Sequence, residues 1–163
     1  MVAASDILFN HETNVAPLGL IALSGAEELG QKINAYLVDW AHKGGYDVDT
    51  FLIESECPRF SSGDGKGLIK STVRGRDLFI IVDVGNYHVQ YQMYDQKNAM
   101  SPDDHYQDLK RIIQAVSGKA HRINVIMPIL YGGRQHRRNY RESLDCACAL
   151  QELERMGVAN ILT

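Results

Sequence analysis

Short, continuous apolar runs recur along the chain, separated by longer segments of mixed polarity. Runs of this length, bounded by glycine, proline or serine, are typical of strands buried inside a sheet. We therefore predict strands at 18–25, 48–55, 78–84, 122–128 and 158–163.

Three segments between these runs have apolar residues at helical spacing, and each predicts a helix. The first follows Ser24, a candidate N-cap, and ends at Gly44 and Gly45. Its predicted inner face is Leu29, Ile33, Tyr36, Leu37 and Trp40. The second helix, 102–116, opens with proline and acids, and its predicted inner face is Leu109, Ile112, Ile113 and Val116. The third, 141–157, has Cys146, Ala149, Leu150 and Leu153 on one face.

The segments left over are predicted to be loops and turns. Residues 85–101 show neither a helical nor an alternating pattern, so they predict a long loop. The stretch 59–67, "RFSSGDGKG", contains three glycines and predicts a second loop, after which come a short edge strand and a turn at 74–76.

Strands that alternate with helices predict an α/β domain with a mostly parallel sheet. In such sheets ligands bind at the carboxyl ends of the strands. The last run, "VANILT", reaches the end of the sequence with no following helix or cap, which predicts that the chain is one half of a larger protein.

Composition narrows the class of protein. The 163 residues are 45% hydrophobic and 23% charged, which is typical of a globular domain, and the net charge of −3 disfavours a general nucleic-acid coat. The odd set of Cys57, Cys146 and Cys148 predicts no disulfide framework and a reducing, cytoplasmic setting. No apolar run approaches the roughly 18 residues of a membrane span, and the first thirteen residues predict no signal peptide.

Positive charge is concentrated in "YGGRQHRRNYRE" at 131–142, which we call the arginine loop. Four arginines lie between a predicted strand end and a predicted helix start, where backbone N–H groups favour anions, so the segment indicates a phosphate-type ligand. The alternative is a solvated basic loop with partial salt bridges to Glu142 and Asp145. The histidines show no metal spacing, and no nucleophile–base motif is present, so we predict neither metal ligands nor catalytic residues.

Two other segments have both a functional and an ordinary interpretation. In 59–67, Phe60 could stack on a base while polar groups contact its edge, but spacing alone favours a simple glycine-rich turn. In "STVRGRD", Thr72 and Arg74 could bind an anion, although a turn with exposed arginines is the preferred interpretation.

The order of these motifs resembles the N-terminal half of ribose-phosphate pyrophosphokinases over about 20–163. The resemblance is carried by "SGAEELGQKI", "RFSSGDGKGLIKSTVRGRDLFII", "PDDHYQDLKRIIQAV", "INVIMPILYGGRQHRRNYRE" and "ERMGVANILT". It implies a phosphoribosyltransferase-like three-layer sandwich and a single domain, 1–163, of a two-domain enzyme whose second domain is absent. It also implies a transferase that moves diphosphate from ATP to ribose 5-phosphate with Mg²⁺, assembles into homo-oligomers and does not bind nucleic acid or membrane.

By resemblance, Arg134 and Gln135 contact ATP, and Phe60 stacks on adenine from a neighbouring subunit. Thr72, Arg74 and Arg141 match positions that the family uses for a phosphate or ADP effector. Asp64 stands where the family usually has Glu.

Departures from the family pattern keep alternatives open. Ser62 and His136 replace acidic residues of the family motifs. The isolated chain is expected to be inactive, because the loop that holds ribose phosphate and pyrophosphate belongs to the second half. One alternative is a non-catalytic regulatory relative that binds the synthetase. A basic-loop nucleic-acid binder is a third interpretation, which the net charge disfavours.

Overall fold

The computed structural model describes residues 15–116 and 118–163, so the N-terminal segment examined for a signal peptide lies outside the described residues. The elements in chain order are β1 (Leu18–Ala22), α1 (Glu27–Lys43), β2 (Ser55–Glu56), β3 (Leu68–Ile69), β4 (Asp77–Ile81), β5 (Gln90–Met93), β6 (Gln96–Ala99), α2 (Pro102–Val116), β7 (Arg122–Ile126), α3 (Asp145–Arg155) and β8 (Val158–Leu162). No described helix is long and apolar enough to cross a membrane.

Four of the predicted strands form one parallel sheet in the order β1-β4-β7-β8. Helices α2 and α3 pack on one face, where Leu109, Ile112 and Leu153 meet Ile80 and Val125. Helix α1 covers β1 on the other face, through a second cluster of Leu20, Leu37, Ala41 and Phe51. The prediction of a three-layer α/β domain with a parallel sheet is confirmed.

Helix α1 meets the sheet through a face that matches the predicted one only in part: Leu37 is buried and Ile33 packs against the second cluster, as predicted. Its buried residues are Gly30, Leu37 and Ala41, whereas Tyr36 is 66% exposed. Leu29 and Trp40 are also exposed. The reason is Gly30: a Cβ there would lie 2.5 Å from the Cβ of Ala22, so its absence lets the helix approach β1 and rotates the contact face.

The prediction for the N-terminal end of α1 is wrong, and the prediction for its C-terminal end is correct. Ser24 is not the N-cap, because the helix begins at Glu27 after Ala26, with no side-chain cap hydrogen bond. The Glu27 carboxylate instead accepts a hydrogen bond from the Gly25 N–H at 2.6 Å. Gly44 is the C-cap as predicted, and Gly45 follows it with φ +80°.

The strand predicted at 48–55 is mostly irregular. Only Leu52 bridges to β1, through hydrogen bonds in which Leu20 N–H donates to Phe51 O at 2.9 Å and Ile53 N–H donates to Leu20 O at 2.7 Å. The chain then leaves the sheet and forms the two-residue antiparallel pair β2-β3.

The long loop predicted at 85–101 is instead a β-hairpin, β5-β6. Tyr91 and Met93 are half-buried while Gln90 and Gln92 are exposed, so the strand does alternate. The signal is weak because only two apolar residues carry it. The turn also lacks the glycine that normally marks a hairpin, and Tyr94 adopts φ +49° there.

The other two helices follow their predictions closely. All four predicted inner residues of α2 are buried, and Ser101 and Asp104 cap it reciprocally: Ser101 N–H donates to Asp104 Oδ2 at 2.9 Å, and Asp104 N–H donates to Ser101 Oγ at 3.2 Å. Helix α3 begins at Asp145, four residues later than predicted, because Leu144 has the non-helical angles φ −125° and ψ 65°.

Candidate functional site

The arginine loop leaves the carboxyl end of β7, as predicted. Arg134, Arg137, Arg138 and Arg141 are exposed, and none forms an ion pair with a described residue. The salt bridges to Glu142 and Asp145, which belonged to the alternative interpretation, are absent there. The Glu142 carboxylate instead accepts the Asn139 N–H at 3.1 Å. Among the described residues, nothing forms an ion pair with the four guanidinium groups.

The backbone of the arginine loop is fixed by its own hydrogen bonds. Gln135 N–H donates to Gly132 O at 2.8 Å, and the Gln135 side-chain amide donates to Ser143 O at 2.8 Å. Gly132 has φ +68°, and a Cβ there would lie 3.0 Å from the Cys146 N atom at the start of α3. Arg134 therefore projects from an ordered turn, while part of Gln135 is used to hold that turn.

Two stacked tyrosines attach the base of the arginine loop to the helices. The rings of Tyr106 and Tyr131 lie 4.2 Å apart and are nearly parallel, at 7°. Tyr131 donates to Asp103 Oδ1 at 2.8 Å, and Tyr106 donates to Ala149 O at 2.9 Å. Burial, together with the hydrogen bond to Asp103, raises the pKa of Tyr131 to about 12. Sequence reasoning missed this pair, although Tyr106 lies three residues before Leu109 on the inner face of α2.

The loops that follow β1 and β4 are tied together beside the arginine loop. Asn86 Nδ2 donates to Gly25 O at 3.0 Å, and the Nε2 of the buried His105 lies 2.7 Å from Asn86 O. Ile129 lies against Gly85, where a Cβ would be 2.7 Å from its Cδ1 atom. His105 thus has a structural role, because it holds the loop that follows β4.

The glycine-rich loop, 59–67, is a closed turn that presents Phe60. Phe60 N–H donates to Asp64 O at 2.7 Å, and Gly63 N–H donates to Phe60 O at 2.9 Å. The Phe60 ring is 55% exposed, with Lys66 Nζ 5.9 Å from its centroid. Ser62 Oγ donates to Asp64 Oδ2 at 2.8 Å, so one carboxylate oxygen of Asp64 is already engaged.

A buried ion network holds the start of this loop on α2. The guanidinium of Arg59 donates to both oxygens of Asp108, at 2.6 and 3.0 Å, and both side chains are only 6% exposed. Arg111 also contacts Asp108, at 2.7 Å. Burial and the negative charge of Asp108 raise the pKa of Cys57 to about 12. Because Arg59 and Asp108 are far apart in sequence, only the i,i+3 pair of Asp108 and Arg111 offered a signal for this network.

Thr72 and Arg74 lie on an exposed turn before β4. Thr72 Oγ1 accepts a hydrogen bond from the Arg74 N–H at 3.3 Å, and Gly75 N–H donates to Lys119 O at 2.9 Å. A cleft of about 240 Å³ beside the turn is lined by Ser71, Thr72, Arg74 and Lys119, among others. Two cations and two hydroxyl groups border this cleft.

The predicted site residues fall into three separate places within one chain. Arg134, Gln135 and Arg141 lie beyond the carboxyl end of β7, whereas Thr72 and Arg74 precede the amino end of β4. These strands are parallel and in register, so a strand length of about 13 Å separates their amino ends from their carboxyl ends. Phe60 and Asp64 lie on the third region, the glycine-rich loop. No hydrogen bond, ion pair or ring contact between described residues connects the three. Within residues 15–116 and 118–163, no three His, Cys, Asp or Glu side chains form a group that could hold a metal ion.

Comparison with known proteins identifies the relatives of this domain. Residues 18–157 match the family model described as the N-terminal domain of ribose phosphate pyrophosphokinase. The fold is similar to the crystal structure of phosphoribosylpyrophosphate synthetase from Mycobacterium smegmatis, with a TM-score of 0.64 and 20% sequence identity. The similarity covers 89% of this chain and 41% of that one, so the chain spans less than half of the solved relative. No curated protein sequence matches the chain.

Proposed function

The chain belongs to the family of ribose phosphate pyrophosphokinase N-terminal domains, and from this premise we propose that it is the nucleotide-binding half of an enzyme. That enzyme would transfer diphosphate from ATP to ribose 5-phosphate and form phosphoribosyl pyrophosphate. The observation that carries the proposal is the arginine loop, which follows the carboxyl end of a parallel strand and has four exposed arginines without an ion pair to any described residue.

Arg134 and Gln135 are assigned to the phosphates of ATP. Transfer of a phosphoryl-type group depends mainly on positioning and on neutralising negative charge, and arginine forks provide both. Mg²⁺ would accompany ATP and supply further charge neutralisation. The described residues present no cluster of carboxylates for it, so the proposal assigns the metal no ligand on this chain and no step to it.

Phe60 and Asp64 are assigned to the adenine base. An exposed aromatic ring on an ordered turn suits stacking, and Asp64 retains one carboxylate oxygen for a polar contact. Because no hydrogen bond, ion pair or ring contact between described residues joins this loop to the arginine loop, we assign the adenine contact to a second copy. The proposal therefore includes a homo-oligomer.

Thr72, Arg74 and Arg141 are assigned to an effector, either inorganic phosphate or ADP. The turn at 72–76 lies at the amino ends of the parallel strands, and the arginine loop lies at their carboxyl ends. A single effector could contact both only at an interface between copies, which is a second reason to propose an oligomer. No observation favours the non-catalytic regulatory alternative.

The proposal is tested by calorimetric titration of the chain with Mg–ATP, Mg–ADP and inorganic phosphate. Arg134→Ala is expected to weaken nucleotide binding about 10- to 100-fold, the range for losing a charge-assisted hydrogen bond. Lys32→Ala is the charge-matched control, because Lys32 is exposed on α1 and forms its ion pair with Glu28 of the same helix. Equal loss of affinity in both variants, or only non-saturable, steeply salt-dependent binding, would contradict the proposal.

A further inference from the structure

The β5-β6 hairpin makes specific contacts with the glycine-rich loop. Tyr94 N–H donates to Ser61 O at 2.8 Å, which joins the tip of the hairpin to the residue after Phe60. Gly63 packs directly on the hairpin: a Cβ there would lie 2.9 Å from Met93 Sδ and 3.8 Å from the Tyr91 ring. The loop therefore needs glycine at 63 both for its φ of +93° and for this close approach.

Tyr91 adds a third connection, at the start of the loop. The Arg59 guanidinium lies 5.1 Å from the centroid of the Tyr91 ring, within the range of a cation–π contact. The same guanidinium forms the two hydrogen bonds to Asp108 of α2. Arg59 is thus held between the hairpin and a helix of the core, and it directly precedes Phe60 in the chain.

The hairpin has little contact with the rest of the domain. None of its strand residues belongs to either buried core cluster, and Gln90, Gln92, Gln96 and Lys97 are exposed. A two-stranded hairpin is marginally stable by itself, so its order depends on what its half-buried side contacts. That side, formed by Tyr91 and Met93, contacts the glycine-rich loop.

We propose that the β5-β6 hairpin is a positioning element, which holds the glycine-rich loop so that Phe60 and Asp64 are presented to the adenine of a bound nucleotide. The identity of the ligand rests on the proposed function, whereas the ordering of the loop does not. A loop with three glycines has high conformational entropy when free. Pre-ordering by the hairpin lowers the entropy lost when a base stacks on Phe60.

The test combines hydrogen exchange with two ligands, on the whole 163-residue chain. The variant is Tyr91→Ala/Met93→Ala, which removes both side-chain contacts. Tyr91→Phe keeps the ring under Arg59 and is the conservative variant, and Lys97→Ala is a control on an exposed hairpin residue. Amide exchange is followed by mass spectrometry at 59–67 and in β4, and calorimetry gives the affinities for Mg–ATP and for inorganic pyrophosphate.

In the double variant we expect exchange at the Phe60 and Gly63 amides to rise about tenfold or more, while exchange in β4 is unchanged. The affinity for Mg–ATP should fall about tenfold, with little change for pyrophosphate, because pyrophosphate has no base to stack on Phe60. Tyr91→Phe and Lys97→Ala should behave as the unsubstituted chain does. This selective loss would not follow from general destabilisation, which weakens both ligands.

Two results would overturn the proposal: unchanged exchange at 59–67 in the double variant, or equal weakening of Mg–ATP and pyrophosphate binding. If the unsubstituted chain binds neither ligand, the proposed function fails on its own. The exchange measurement then decides separately whether the hairpin orders the loop.

Discussion

At the scale of single residues, Cys57 and Tyr131 are acids that the folded protein keeps protonated. Burial and the charge of Asp108 raise the pKa of Cys57 from 9.0 to about 12. Burial and the hydrogen bond to Asp103 raise the pKa of Tyr131 from 10.0 to about 12. The pKa of Tyr106 is raised as well, by burial and by Glu152. In the unfolded chain these groups would ionise at their ordinary values.

These shifts predict that stability falls at alkaline pH. Above pH 9 the unfolded chain releases protons that the folded chain retains, so the free energy of unfolding decreases as pH rises toward 12. The stabilising contribution is fully present below the unfolded pKa values. Urea denaturation at a series of pH values from 7 to about 11 measures the effect. Cys57→Ala should flatten the first part of the decline, and a stability that is constant or rising across this range would contradict the prediction.

Sequence reasoning at this scale correctly predicted buried residues where the helical spacing of apolar side chains marks one face of a helix. Leu109, Ile112 and Val116 were placed in the core because helical spacing puts them on one face. The ion pair of Arg59 with Asp108 and the stack of Tyr106 on Tyr131 were missed. Each joins residues 25 or more positions apart, and only the folded chain determines which distant side chains meet.

At the scale of elements, the contact of α1 with β1 depends on a single missing methyl group. Gly30→Ala would place a Cβ 2.5 Å from the Cβ of Ala22, closer than two carbons can approach. We expect the free energy of unfolding to fall by about 1–3 kcal/mol, the usual cost of overpacking. This would occur although alanine favours a helix over glycine by about 1 kcal/mol.

The matched control for this prediction is the exchanged pair Ala22→Gly/Gly30→Ala, which restores space between helix and strand. Urea denaturation should show that adding Ala22→Gly to Gly30→Ala recovers part of the stability that Gly30→Ala alone loses. A Gly30→Ala variant as stable as the original chain would show that α1 can shift without cost.

The same glycine explains why the extent of α1 was predicted more accurately than its inner face. The spacing of Leu29, Ile33, Tyr36, Leu37 and Trp40 identified α1 as a helix, and Leu37 is buried as predicted. Close approach through Gly30, however, turns Tyr36 and Trp40 outward. The hairpin was missed because only Tyr91 and Met93 carry its alternating pattern, and these two side chains contact the glycine-rich loop.

At the scale of the whole molecule, the predicted ligand contacts lie in three separate regions of one chain. The arginine loop lies at the carboxyl ends of the parallel strands and the turn at 72–76 lies at their amino ends. The glycine-rich loop forms the third region. The sequence motifs predicted which residues of each region contact a ligand. They could not give this separation, because it depends on the direction of β4 and β7 in the folded sheet.

We predict that the purified chain does not release AMP from ATP and ribose 5-phosphate in the presence of Mg²⁺. The chain spans 41% of its solved relative, and the resemblance assigns the contacts to ribose phosphate and pyrophosphate to the second half of the family's enzymes. A coupled assay for AMP, with heat-denatured chain as the blank, measures the activity. AMP formation that depends on ribose 5-phosphate and disappears in Arg134→Ala would contradict the prediction.

Strand β8 ends the row of paired strands in the described part of the chain, so one side of its backbone has no strand partner there. Leu162, at its end, is 47% exposed. An open edge of this kind is a template for strands from other molecules. A net charge of −3 at pH 7 gives little repulsion between copies, and even that vanishes near the isoelectric point of about 6.0. We therefore expect edge-to-edge association of the concentrated protein to increase as the pH is lowered toward 6, which light scattering would detect.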